Sequence, residues 1–81
     1  MYIPLTNKTA TSYTNRDGKI VRVGDMWKLE YSTGAYTAVV VTHIVQGKFD
    51  NRWRVVALSM GDGDSAEHYA SKFCKIFNKV A

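Results

Sequence analysis

The sequence predicts an α+β fold: a small antiparallel β-meander of about five strands with one C-terminal amphipathic helix packed on it. Three stretches carry that reading. Residues 36–45, Tyr-Thr-Ala-Val-Val-Val-Thr-His-Ile-Val, hold no Gly, Pro or charge and are dominated by β-branched and aromatic types. Such a run suits a strand apolar on both faces, and therefore a central one. Residues 26–31 alternate, with Trp27, Leu29 and Tyr31 on one face and Met26, Lys28 and Glu30 on the other, as expected when one face meets a core and the other meets water. Beyond Asp64 the period changes. Ala66, Tyr69, Ala70, Phe73, Ile76, Phe77 and Val80 recur at three- and four-residue steps, which predicts a helix over about 65–80 with one apolar stripe.

In chain order, Tyr2-Ile3-Pro4-Leu5 is a short apolar patch in which Pro4 cannot donate to a ladder, so a strand there is an edge or a capping segment. Ser12-Tyr13-Thr14 and the run from Lys19 to Val23 flank Asn15-Arg16-Asp17-Gly18, a turn sequence that predicts a β-hairpin. Gly24-Asp25 punctuates the chain before the alternating strand, and Ser32-Thr33-Gly34 turns it into the central one. The last strand, about 52–59, puts Trp53, Val55 and Ala57 on one face and Arg52, Arg54, Val56 and Leu58 on the other. Gly61-Asp62-Gly63 breaks it. Asp64 and Glu67 then stand at the spacing of a capping box at the start of the helix.

The run Lys19-Ile-Val-Arg-Val-Gly-Asp-Met-Trp-Lys-Leu29 resembles the opening of small SH3-like or Tudor-like barrels, where a Gly-Asp turn precedes a strand. The resemblance covers eleven residues and implies that closure into an SH3-like barrel is one form this sheet can take. No functional residue follows from it.

At 81 residues, with 46% hydrophobic and 12% aromatic residues, the chain is expected to be one domain, 1–81, near the size at which a single core becomes marginal. A core this small leaves little room for a buried cleft, which favours a surface-binding task. Cys74 is the single cysteine, so no intramolecular disulfide forms and a reducing compartment suits the thiol. Met1 to Leu5 lack the basic and apolar regions of a secretory signal, and no stretch has the length of a membrane span. Together these features predict a cytoplasmic protein.

The net charge of +4 and pI of about 9.4 favour anionic partners, although this charge is also ordinary for solubility. Cations and rings interleave through the β-rich region: Arg16, Lys19, Arg22, Lys28, Lys48, Arg52 and Arg54 among Tyr13, Trp27, Tyr31, Tyr36, Phe49 and Trp53. Arginine and lysine neutralise phosphates while exposed rings stack bases; equally, the tryptophans can be core and the cations a solvated face. Arg52-Trp53-Arg54 is the sharpest local feature, since strand alternation sets its two guanidinium groups about 7 Å apart on one face. They suit adjacent phosphates or acidic side chains on a protein partner, or else cross-strand ion pairs with Asp25 or Glu30.

Other constellations point to less. His68, Lys72, Lys75 and Lys79 form a basic stripe on the predicted helix, commonly the wet side of such an element. Asp62, Asp64, Glu67 and His68 offer hard ligands but not the spacing of a calcium loop. His68 and Cys74 are about 120° apart around a helix, poorly placed as base and nucleophile. His43, within the central strand, reads as a satisfied structural histidine, and Cys74 as a small hydrophobe.

Neither catalytic machinery nor a cofactor or metal site is therefore expected. The leading expectation is a small non-enzymatic binding module for an anionic partner, nucleic acid or a nucleotide-like ligand. Its contacts would be Arg22, Lys28, Arg52 and Arg54 for phosphate and Tyr31, Tyr36 or Trp53 for stacking. The alternative is a protein-binding inhibitor or adaptor, of the kind carried by phages or mobile elements, that blocks a host protein. A homodimer is a further possibility for so small a sheet, because an uncovered edge invites its twin.

Overall fold

The computed structural model describes residues 6–47 and 49–80; the expected edge segment at Tyr2 to Leu5 lies outside them. The described residues form a mostly antiparallel β structure with one short helix. The strands are β1 (Thr6–Ala10), β2 (Ser12–Thr14), β3 (Ile20–Arg22), β4 (Met26–Glu30), β5 (Tyr36–Gly47), β6 (Trp53–Ser59), β7 (Ser65–Tyr69) and β8 (Asn78–Lys79), with the helix α1 (Ala70–Ile76) between the last two.

As its composition demands, β5 is central. On one side it pairs with β6 from Val39 to Gln46. Its other side is divided between β4, which covers residues 36–40, and β1, which covers 44–47. The main sheet runs β7-β6-β5-β4-β8, with β1 attached to β5. The stretch β4-β5-β6-β7 is a meander.

One bulge shapes the core. The β5–β6 register shifts between Val41 and His43, and the additional residue, Thr42, donates its hydroxyl to the Val56 carbonyl at 3.2 Å. A bulge interrupts strict alternation, so that Val41 and Ile44, three residues apart, both join the core.

The turns follow from their residues. In the β2–β3 hairpin the Asn15 side-chain oxygen accepts the backbone N–H groups of Asp17 and Lys19, and Gly18 takes φ +87°, a conformation that disfavours residues with a Cβ. The Gly24-Asp25 turn is sewn to the central strand: Gly24 N–H donates to the Val41 carbonyl, and Val41 N–H to that of Asp25.

The hairpin and α1 both lie on one face of the sheet. Val21 from the hairpin and Ala70, Phe73, Cys74 and Phe77 from α1 and its C-cap bury against Trp27, Val39, Val55 and Ala57. Phe73 is fully buried; it meets Trp27 edge-on at 5.3 Å and stacks on Phe77 at 4.3 Å. Lys19 ties the two covering elements together by donating to the Cys74 carbonyl at 3.0 Å.

The C-terminal third corrects the expected helix over 65–80. Residues 65–69 form β7, α1 has seven residues, and the chain is extended again at β8. The supposed capping box does not cap α1, whose first turn has no side-chain hydrogen bond and no acidic residue. Instead, Gly61-Asp62-Gly63-Asp64 is the turn of a β6–β7 hairpin. Asp62 accepts the Asp64 N–H, Ser59 N–H donates to the Asp64 carbonyl, and Gly63 takes φ +79°. The open edge of β6 decides the matter, because five residues of ladder satisfy backbone groups that a helix there would leave unpaired.

The expected meander of about five strands is thus divided: β2 and β3 form a two-stranded sheet of their own, while β1, β7 and β8 are added to β4, β5 and β6 in the main sheet. The basic stripe shrinks to Lys72 and Lys75, since His68 and Lys79 lie on strands. Cys74 is buried and free, and burial pushes its thiol above the usual range; it packs as a small hydrophobe, as expected. No helix among the described residues is long and apolar enough to cross a membrane.

Two consequences are measurable. Phe73→Ala removes the side chain on which α1, β4 and the C-cap converge and should cost about 3–5 kcal/mol, read as a fall in the urea midpoint with little change in slope. His68 packs on Phe73 and Phe77 at 5.9 and 5.3 Å, and burial, helped by the Lys72 charge, lowers its pKa below the usual 6.5. The unfolded chain therefore binds this proton more readily. Stability from His68 should be complete above about pH 6.5 and decline as the pH falls below that value, a decline that His68→Gln should flatten in denaturation series.

Candidate functional site

The two faces of the sheet differ in cover. One carries the core, the hairpin and α1. By register the other presents Met26, Lys28 and Glu30 from β4, Tyr36, Val40, His43 and Val45 from β5, Arg54, Val56 and Leu58 from β6, and Glu67 and Tyr69 from β7. Of the residues expected to bind, Lys28, Tyr36 and Arg54 lie on this second face, and Arg52 joins them just outside β6. Trp53 packs half-buried against the core, and Tyr31 projects from the edge on the core side, bonded to the Thr37 hydroxyl at 2.9 Å. Arg22 belongs to the separate hairpin.

At one end of this face Lys28 pairs with Glu30 at 2.9 Å and lies 5.7 Å from the centre of the Tyr36 ring. The pairing with Glu30, more than the nearby ring, raises the Lys28 pKa. Close by, an open depression of about 500 Å³ is lined by Tyr36, Ser59, Met60 and Asp62, among others. The Asp62 carboxylate makes it a poor seat for an anion.

The other end, about 20 Å away along β5 by strand rise, holds a tighter constellation. Arg54 makes a fork to Asp50, with contacts of 3.1 and 2.6 Å, and its Nε lies 3.1 Å from the Glu67 carboxylate in a second ion pair. Asp50 also accepts the backbone N–H of Arg52 at 3.1 Å. The Arg54 guanidinium and that backbone bond together hold the Asp50 carboxyl below the usual carboxylate range. Tyr69 is the platform: Arg52 lies over its ring at 3.9 Å and Arg54 at 4.9 Å.

The pair Arg52 and Arg54 therefore does share a face, but the two residues have different roles. Arg54 is neutralised by two carboxylates and has a side chain only 19% exposed. Among the described residues no carboxylate lies within ion-pair distance of Arg52, and its residue is exposed. A guanidinium held over a ring by cation–π attraction still carries N–H donors to offer a planar or tetrahedral oxyanion. Phe49, on the same connecting loop, is 94% exposed.

The expected ion-pair mates are corrected. Asp25 pairs with Lys79 and Glu30 with Lys28, while Arg54 takes Asp50 and Glu67. Topology is the reason: β6 is flanked by β5 and β7, and β4 lies one strand further away.

Sequence reasoning missed Tyr69, assigned to a helical stripe, and Gly47. A Cβ at Gly47 would fall on the Arg54 guanidinium and the Asp50 carboxylate, so a glycine inside β5 leaves room for the fork to lie over the strand. An isolated glycine ending a β-branched run was the available signal. The acidic cluster also comes apart, since Glu67 and His68 project to opposite faces of β7.

Comparison with protein-family models, with curated proteins and with solved structures finds no match to this chain.

Gly47→Ala tests the fork. Both displaced atoms end flexible side chains, so the ladder should survive with an unchanged circular dichroism spectrum. The Asp50 carboxyl should titrate nearer its ordinary value, and the Arg54 Nε–H resonance should shift in heteronuclear NMR.

Proposed function

We propose that this chain is a small non-enzymatic module that binds an anionic partner, single-stranded nucleic acid or a nucleotide-like ligand, through Arg52. One observation carries the reading: Arg52 lies over the Tyr69 ring, with no carboxylate within ion-pair distance among the described residues, beside an arginine already neutralised. In this arrangement Arg54 is a positioning residue. It holds Asp50, which holds the Arg52 backbone, and its own guanidinium borders the same ring. Arg52 offers the phosphate contact and the exposed ring of Phe49 a stacking surface. Lys28 and Tyr36 can meet a longer strand at the far end of the face. The likeness to SH3-like and Tudor-like barrels stays part of this proposal, as does a cytoplasmic setting, with which the single buried thiol of Cys74 accords.

A second reading has its own support. Met26, Val40 and Leu58 lie between the charged ends of the helix-free face, and Met26 is 36% exposed. An apolar centre with a charged rim is the pattern of a protein interface, as an inhibitor or adaptor carried by phages or mobile elements would need. Salt separates the two readings, because phosphate contacts weaken steeply with ionic strength and apolar contacts do not.

The test is fluorescence anisotropy with a labelled single-stranded oligonucleotide, with nucleoside triphosphates as competitors. Arg52→Ala should weaken binding about tenfold or more, the share of a charge-assisted hydrogen bond. Lys79→Ala, which removes the same charge beside Asp25, should leave it within about twofold if the contact is local rather than a general field effect. Equal losses in both variants, or no loss in either, would refute a role for Arg52.

A further inference from the structure

The charge of the molecule is unevenly divided. The hairpin and α1, residues 12–23 and 70–76, contain five cations, Arg16, Lys19, Arg22, Lys72 and Lys75, and one carboxylate, Asp17. Their net charge of +4 equals that of the whole chain, the remaining residues carrying six charges of each sign. Outside this layer, four carboxylates are taken up in ion pairs with Lys28, Arg54 and Lys79. Within it, among the described residues, no cation has a carboxylate within ion-pair distance, and Lys19 reaches a backbone carbonyl instead.

The two elements form one surface. Lys19 bridges to α1, Val21 and Phe73 share the core beneath, and the alternation of β3 turns Ile20 and Arg22 outward with their cross-strand partners Thr14 and Ser12. Arginine, lysine and hydroxyl side chains are the common donors to phosphate oxygens.

The layer offers no exposed ring. Tyr13 is half-buried against the core, and Phe73 and Phe77 are buried; the exposed rings Tyr31, Tyr36, Phe49 and Tyr69 belong to other parts of the fold. A single strand is held largely by base stacking on aromatic side chains, whereas a duplex stacks its own bases and turns its phosphate rails outward. Charge and hydroxyls without rings fit the second.

We propose that the hairpin–helix layer is a binding surface for the phosphate backbone of duplex nucleic acid, read without base specificity. It goes beyond the Arg52 site, with which it shares no residue. Each cation that meets a duplex phosphate contributes about 0.9 to the slope of log affinity against log salt. Five cations therefore set an upper slope between about −4 and −5.

The experiment is anisotropy of a labelled duplex of mixed sequence, titrated between low and physiological salt, with circular dichroism of every variant. Wild-type protein should bind the duplex with a slope between about −3 and −5, and Arg52→Ala should bind it equally well. Arg22→Glu with Lys75→Glu should weaken binding at least tenfold at low salt. The neutral pair Arg22→Gln with Lys75→Gln, milder on the fold, should reduce the slope by about two. The proposal is overturned if wild-type protein ignores the duplex at low salt, if folded neutral variants keep the wild-type slope, or if the Arg22 and Lys75 variants lose affinity for phosphatidylserine vesicles but not for duplex. Loss of single-strand binding in Arg52→Ala with duplex binding intact separates this surface from the Arg52 site.

Discussion

A long strand paired along both edges constrains everything around it. β5 is twelve residues long, longer than any neighbour, and the backbone polar groups of a buried segment must be matched. β6 matches one side. The other needs two strands end to end, and β4 and β1 supply them. That division brings the N-terminal segment back to the end of β5 opposite β4. It also places the Gly24-Asp25 turn against Val41, beside the point where the β5–β6 register shifts. The bulge then turns Val41 and Ile44 to the same side, and the hairpin and α1 cover that side. Trp27 illustrates the cost of such cover: it is nearly fully buried, and among the described residues its Nε1 has no hydrogen-bond partner, an expense of about 1–3 kcal/mol set against the burial of its large ring.

Charge is arranged by the same topology. Strands adjacent in the meander bring opposite charges together: Glu67 on β7 reaches Arg54 on β6, and Lys79 of β8 lies by Asp25 at the start of β4. The helix-free face is in this way largely self-compensated, with Arg52 the exception at one end. The hairpin and α1 cover the core through apolar side chains and have few acidic residues of their own, so the excess charge collects there. A modest net charge can produce a strong local field when it is confined to one side.

The constellation at Tyr69 shows how little of a surface site needs to be contiguous in sequence. Asp50 comes from a loop, Arg54 from β6, Glu67 and Tyr69 from β7, and the room for them from Gly47. Removing Asp50 or Glu67 alters what Arg54 can do, and moving Arg54 alters the bed on which Arg52 lies. A guanidinium fixed in this way loses less conformational freedom on meeting an oxyanion than one that moves freely in solvent.

Much of the fold was legible because local chemistry left few choices. A charge-free β-branched run at 36–45 can only be central, Asn15 to Gly18 is a turn by the hydrogen bonds and φ values its residues permit, and the alternation of Trp27 and Leu29 against Lys28 and Glu30 selects one face. The shared face of Arg52 and Arg54 followed from the same period of two. The C-terminal third was not legible, since Ala66, Tyr69, Ala70 and Phe73 satisfy a helical period. What turns residues 65–69 into a strand is the unpaired edge of β6, which does not exist until the meander has formed. Tyr69, Glu67 and the partners of Arg54 were hidden with it, and so was the gathering of all excess charge on one layer. Period and turn chemistry are local properties that the sequence determined by itself; which edge is left open, and which charges meet across it, are long-range outcomes that only the tertiary structure decided.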